Sequence, residues 1–237
     1  MSKKVCQGIV LRKIDYSDTS LIVKMLTKEF GVQSFLFQGG KRKNKHGNIL
    51  QPLSLISAEF YQRNDSDMPK MSAVDSRVAY RTIPYDPYKS SILFFIAEII
   101  QKTVHEDEAD EALFDFIENS LLILDETDHF SNFVIKFLLQ YPQYLGFSLF
   151  RDPDPQYFDY QEAGFVKHEP SHPYYISKEK SSLLLAFSGM KFDGLDDPKI
   201  ELNTRRELIY DLLKVYNVFF DNFKEVQSLS VLEAALH

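Results

Sequence analysis

From Val5 to Asp75 apolar residues recur at nearly every second position, the period of a half-buried strand. Val5, Gln7, Ile9 and Leu11 alternate with Cys6, Gly8, Val10 and Arg12, and Leu21 to Thr27 is rich in β-branched and long apolar side chains; both read as strands. Asp15-Tyr16-Ser17-Asp18 between them is turn chemistry, and Glu29-Phe30-Gly31 makes a second tight reversal ahead of a third strand, Val32 to Gln38. Pro52 to Tyr61 and, beyond the polar Asn64-Asp65-Ser66-Asp67 turn, Lys70 to Asp75 complete five short strands with one long interruption. Strands this closely spaced predict a small closed barrel, of which the OB-type fold is a leading member.

After Pro84 the period lengthens to about 3.6. Tyr88, Ile92, Phe95, Ile96, Ile99 and Ile100 form one helical stripe, and Asp86-Pro87 stands at its start, where proline is tolerated. A second helix is predicted from about Glu108 to Leu124, with Leu113, Phe116, Ile117, Leu121 and Leu124 on one face. A third begins at Ser131 and carries Phe133, Val134, Phe137, Leu138 and Tyr141 until Pro142 ends or bends it. The longest stripe runs through Leu208, Ile209, Leu212, Leu213, Tyr216, Phe219, Phe220 and Phe223, and Thr204 with Glu207 offers a capping box ahead of it. Between these helices Pro153, Pro155, Pro170 and Pro173 break the pattern, and Tyr157 to Tyr160 followed by Glu162 to Phe165 reads as a short hairpin. These apolar stripes are read as core rather than as a cofactor box. The fold class is therefore α+β: an N-terminal five-stranded OB-type β-barrel over residues 1–80, then an α-helical domain over 81–237 with a hairpin insertion at about 150–175. The change of period alone sets the boundary near Val78 to Tyr85.

Composition narrows the functional classes. With 237 residues and 44% hydrophobic side chains the chain has material for real cores, which argues against a disordered polymer. Its single cysteine, Cys6, rules out an intramolecular disulfide and a Cys-based zinc site, and it fits a reducing compartment. No apolar run after Lys3 and Lys4 suits a signal peptide, and none reaches the roughly 18 residues of a membrane span, so a cytoplasmic protein without membrane contact is expected.

The net charge of −7 conceals a polarity. Residues 1–80 hold 13 Lys and Arg against 7 Asp and Glu, a net of +6, whereas the remainder holds 14 against 27, a net of −13. A basic module on an acidic scaffold suits a polyanionic ligand. Lys41, Arg42, Lys43 and Lys45, flanked by Gly39, Gly40 and Gly47, supply the densest cations in that module. Alone such a run reads as a solvated turn; in this setting it becomes the leading candidate for phosphate contact. Arg12 and Lys13 either extend the track or are exposed strand-end cations. Phe35 and Phe37, on one side of the third strand, belong to the barrel core or offer base stacking.

The same residues carry a family resemblance. Gln7-Gly8-Ile9-Val10-Leu11-Arg12, Asp15 to Val23, Leu26-Thr27-Lys28-Glu29-Phe30-Gly31, Gly39-Gly40-Lys41-Arg42 and Leu50-Gln51-Pro52-Leu53 follow in order, and together they resemble the opening of the RecO recombination-mediator family. Gln227 to Leu232 resembles its closing segment. The resemblance implies an OB domain followed by a helical domain in a bacterial, nucleoid-associated DNA repair protein of the RecFOR pathway. It also implies binding of single- and double-stranded DNA, strand annealing, and partnership with RecR and with the C-terminal tail of single-strand-binding protein in loading the recombinase RecA. No bond is made or broken in these functions, so no catalytic residue and no cofactor is expected.

One departure concerns metal. Many relatives carry two Cys-x-x-Cys pairs around a Tyr-Phe-Asp hairpin and bind structural zinc; here Tyr157-Phe158-Asp159 remains and the cysteines are gone. Asp152, Asp154, His168 and His172 are the conceivable substitutes, but Pro170 argues against the helix that His168 and His172 would need, and no metal site is expected.

For an acidic tail ending in apolar residues the helical domain has few cations to offer: Lys136, Arg205, Arg206 and Lys214 are the candidates. Arg205 and Arg206 fall near a helix start, against the helix dipole, which reads as a ligand site or as solvated helix-end arginines. The six histidines are scattered without an accompanying catalytic motif, which argues against an enzyme. The rival reading is a helical protein-interaction adaptor that does not itself bind DNA.

Overall fold

The computed structural model describes residues 3–39, 49–62, 64, 68–104, 109–147, 149, 154, 156–162, 164–220, 223 and 225–235. Two compact units divide the chain, one made of residues 1–81 with 97–119 and the other of 82–96 with 120–237.

In the first unit β1 (Lys3–Asp15), β2 (Leu21–Thr27), β3 (Gly31–Phe37), β4 (Leu55–Tyr61) and β5 (Lys70–Ser76) close a barrel in the order β1-β2-β3-β5-β4. β1 is long enough to serve two partners: Gly8 to Asp15 pairs with β2, and Lys3 to Ile9 pairs with β4. A parallel contact, Leu36 with Lys70 and Phe37 with Met71, closes the ring and leaves no open edge among these strands. The interior is filled by Cys6, Val10, Val23, Met25, Phe35, Phe37, Ile56, Ala58, Phe60 and neighbours. Phe35 meets Phe60 edge to face at 5.1 Å, and burying each ring contributes roughly 2–3 kcal/mol. Leu53, with φ of 60°, turns the chain into β4; its N–H donates to Val10 O at 2.7 Å, and its carbonyl accepts from Tyr80 Oη at 2.7 Å. That turn replaces the first residues of the fourth strand predicted from Pro52.

Ile9, Leu26 and Val32 lie on one register line and face away from the barrel interior, yet all are buried. Residues 97–119 belong to the same unit and come close at this end: Lys28 Nζ donates to Asp115 Oδ1 at 2.8 Å, and Arg77 pairs with Glu118.

Helices α1 (Pro87–Thr103) and α2 (Glu111–Glu126) start on aspartates. Asp86 Oδ1 accepts the N–H groups of Tyr88 and Lys89, with Pro87 at the first helical position, and Asp110 Oδ1 accepts that of Leu113. α3 (Phe133–Gln140) is buried at seven of its eight positions, and Pro142 converts its end into a 3-10 turn closed by Gly146 at φ 83°. A small antiparallel sheet follows, with β6 (Tyr157–Asp159) between β7 (Gly164–Val166) and β8 (Tyr175–Ile176). The predicted hairpin thus gains a third strand, and behind it comes an unpredicted helix, α4 (Lys178–Ser188), which buries only Ser181, Leu184 and Phe187.

α5 (Leu202–Phe219) begins two residues before Thr204, with Glu201 at its cap position and no side-chain cap bond. The expected capping box is therefore not formed: Thr204 and Glu207 both lie inside the helix. Phe220 and Phe223 lie beyond its end and gather around buried Tyr216, whose hydroxyl donates to Leu138 O at 3.0 Å. α6 (Leu229–Ala235) closes the described chain. Among the described residues no helix is long and apolar enough to cross a membrane.

Candidate nucleic-acid interface

Barrel parity builds the site. Leu21, Val23 and Met25 on β2 and Phe35 and Phe37 on β3 point into the core, so Ile22, Lys24, Ser34 and Leu36 face outward. β1 joins this face through a bulge between Val10 and Arg12, where the extra residue Leu11 resets the alternation. Two lines of side chains then cross the strands. One is Arg12, Lys24 and Ser34; the other is Ile14, Ile22, Leu36 and Lys70. Beside them the β1–β2 turn is tied by Tyr16 N–H and Ser17 N–H donating to Ser20 O at 3.1 and 3.3 Å, and by Ser20 N–H donating to Ser17 Oγ at 3.2 Å. Tyr16 projects from it, 65% exposed.

The sequence candidates fall into this frame unevenly. Arg12 is exposed and sits on the outer face opposite Lys24. Lys13 is also exposed but stands opposite Val23, on the alternate parity at the barrel mouth, so the two neighbouring cations do not share a face. Phe35 and Phe37 are core, 0% and 5% exposed, and offer no stacking surface. Lys41, Arg42, Lys43 and Lys45 lie outside the described residues. Their flanks are described: β3 ends at Phe37, the register partner of Leu21 beside the β1–β2 turn, and Leu50 returns to the barrel core.

Lys24 and Lys70 were not read from the sequence as site residues. A cation between two inward-facing strand positions was the available signal for Lys24; only the register puts it across from Arg12.

In the helical unit the four partner candidates separate. Lys136 is wholly buried, its ammonium donating to Lys191 O and Asp197 Oδ1, both at 2.8 Å; it has no surface to give a partner. Arg205 donates to Asn132 Oδ1 at 3.0 Å and Ile200 O at 3.4 Å, and burial lowers the pKa of its guanidinium. Arg206 donates to Glu233 O at 3.1 Å. These bonds account for two arginines near a helix start. Lys214 is exposed and, with Lys180, flanks the buried carboxylate of Asp211 at 2.9 and 3.0 Å. Tyr160 donates to the same carboxylate at 3.2 Å, and burial followed by that carboxylate raises its pKa. Next to the cluster opens a cavity of about 610 Å³, lined by Tyr174, Ile176, Lys180, Lys214 and Val218 among others.

The described residues around the hairpin do not fit zinc. Asp159 Oδ1 accepts the N–H groups of Gln161 and Glu162 at 2.7 and 3.2 Å, and its Oδ2 lies 3.2 Å from His172 Nε2. Asp154 lies 3.8 Å from Lys167, Asp152 is outside the described residues, and no cluster of three metal-type ligands exists among the described ones.

Comparison with known proteins decides the family. Residues 1–79 match the family model described as Recombination protein O N terminal, and residues 84–217 match Recombination protein O C terminal. The chain belongs to the RecO family. It is 33% identical over 233 residues to the DNA repair protein RecO of Phocaeicola vulgatus, covering 95% of this chain and 96% of that protein. To the RecO of Flavobacterium psychrophilum it is 30% identical over 232 residues, 96% of each chain, and to that of Bacteroides fragilis 30% over 234 residues, 95% and 96%. A role in DNA repair accompanies membership of the RecO family.

Proposed function

We propose that this chain is a non-catalytic recombination mediator that binds single- and double-stranded DNA through its backbone on the outer face of β1, β2 and β3. The observation that carries the reading is the facing pair Arg12 and Lys24, on the strand face that OB folds use for oligonucleotides, within a segment of net charge +6. Two cations held opposite each other suit a polyanion between them. Lys41, Arg42, Lys43 and Lys45 join them on this reading, because their segment leaves β3 beside the same β1–β2 turn. Each neutralised phosphate releases about one counterion, so affinity falls steeply with salt and depends little on base sequence. Annealing follows when two strands are held by their backbones with base edges free.

The family supports RecR and the single-strand-binding-protein tail as partners, with RecA loading as the outcome. For an acidic tail with apolar terminal residues, the cavity beside Lys180 and Lys214 offers cations next to Tyr174, Ile176 and Val218.

A salt titration of single- and double-stranded DNA binding tests the reading. The Arg12→Ala/Lys24→Ala protein and a protein with Lys41, Arg42, Lys43 and Lys45 replaced by alanine should each bind more weakly and with a shallower salt dependence. No binding by the unaltered protein at low salt, or binding indifferent to both sets of changes, would leave the adaptor without DNA affinity as the better account.

A further inference from the structure

We infer that the outer barrel face carries, beside its cationic line, a second line that receives unpaired nucleobases, so that it grips a single strand by base and backbone together and a duplex by backbone alone. The inference rests on the DNA-binding reading above and adds the chemistry that reading lacks.

Ile14, Ile22 and Leu36 are register neighbours across β1, β2 and β3, and the line ends at Lys70 on β5. All three apolar side chains face away from the core, with Ile14 41% exposed and Ile22 and Leu36 half-buried. Tyr16, 65% exposed, stands two residues beyond Ile14 at the end of β1. Three outward apolar side chains in one register line on the outside of a small barrel mark a binding surface.

Geometry and charge select the occupant. Four adjacent strands span roughly 14 Å, room for about four stacked bases. The Arg12–Lys24 line runs parallel to the apolar one and two residues away along each strand, about 7 Å, a spacing comparable with that between a phosphate and the base it carries. Tyr16 stands on the turn between β1 and β2, which offers its ring to a base beside the apolar line. The turn is pre-tied by its three hydrogen bonds, so presenting the ring costs little ordering on binding. A wholly apolar protein segment would fill the strip equally well but has no use for a cationic line alongside it.

Three probes separate the contributions: an oligothymidylate, an abasic deoxyribose-phosphate strand of equal length, and a mixed-sequence duplex. The unaltered protein should bind the oligothymidylate roughly tenfold more tightly than the abasic strand. Tyr16→Ala and, separately, Ile22→Thr should each remove much of that advantage while leaving abasic-strand affinity, duplex affinity and the salt slope unchanged. Arg12→Ala/Lys24→Ala should weaken all three. Equal affinity for the oligothymidylate and the abasic strand, or equal losses on all probes with Tyr16→Ala, would overturn the base line while leaving backbone binding intact. If Tyr16→Ala or Ile22→Thr changes only the oligomeric state in sedimentation, the strip is a contact between copies and the inference is wrong. Failure to bind any probe at low salt would instead remove the DNA-binding reading itself.

Discussion

Arg12 and Lys24 stand directly opposite each other across β1 and β2, one register step beyond the bulge that turns Arg12 outward. Like charges in this position lower the stability of a sheet. Lys24→Glu should therefore raise the stability of the barrel by about 0.5 kcal/mol, because it turns a repulsive cross-strand pair into an attractive one. The same change should weaken DNA binding and lower the salt slope by about one to two. Thermal unfolding and fluorescence anisotropy measured on one preparation check both signs. A protein that loses stability and affinity together would show that the lysine is structural.

The strands were legible because each carries a stretch of alternating inward and outward positions, although in β1 the parity shifts at the bulge around Leu11. Leu21 to Thr27 coincides with β2, and the turn at Asp15 to Asp18 falls where β1 gives way to β2. The start of α1 was legible because Asp86 caps it, whereas that of α5 was misread: Thr204 and Glu207 have the right spacing for a box, but the helix is already under way at Leu202. α4 escaped notice because its apolar residues, Leu183 to Phe187, form one unbroken run without a 3.6-residue period, and only Leu184 and Phe187 of that run are buried. Lys24 and Lys136 illustrate why single cations are ambiguous. Cross-strand register puts the first beside Arg12, and a tertiary partner 61 residues distant takes the second out of solvent.

Asp125 ties the start of the helical unit together. Its Oδ1 accepts the N–H groups of Thr82 and Ile83, both at 2.9 Å, while the buried ammonium of Lys89 donates to Thr82 Oγ1 at 2.7 Å and to Asp125 O at 3.1 Å. Asp125→Ala leaves the N–H groups of Thr82 and Ile83 without their acceptor, while Lys89 keeps the backbone carbonyl of residue 125, and should cost roughly 2–4 kcal/mol in urea unfolding followed by circular dichroism. Lys89→Met removes the cation and leaves the carboxylate its two backbone donors, so the loss should be smaller, about 1–2 kcal/mol. Equal losses would mean that the ammonium, rather than the capped backbone, organises the segment.

The hairpin should be indifferent to chelators. Asp159 is 5% exposed and joins Gln161, Glu162 and His172, while Tyr157 packs edge to face on Tyr175 at 5.8 Å. Asp159→Ala should lower stability by about 2 kcal/mol, whereas EDTA should leave the melting temperature unchanged. A melting temperature that falls with EDTA and recovers with zinc would require a ligand set different from the one around this sheet.

Cys6 reports on the barrel. It is 1% exposed, and burial, reinforced by the nearby charge of Glu29, pushes its thiol from 9.0 up to about 12. Because the thiolate is the reactive form, a thiol reagent at pH 8 should modify the folded protein at least about a hundredfold more slowly than the urea-unfolded chain. The sign of the linkage follows from the raised value. The folded state holds the proton more tightly than the unfolded state, so the associated stability is fully present below about pH 9 and is lost as pH rises through about 12. Unfolding curves between pH 9 and 12 should therefore show the barrel weakening with alkali, and Cys6→Ala should flatten that part of the decline while leaving the lysine and tyrosine contributions in place. A decline identical in the two proteins would mean that the thiol already meets solvent in the native state, and the barrel would have to open at β1 to let it.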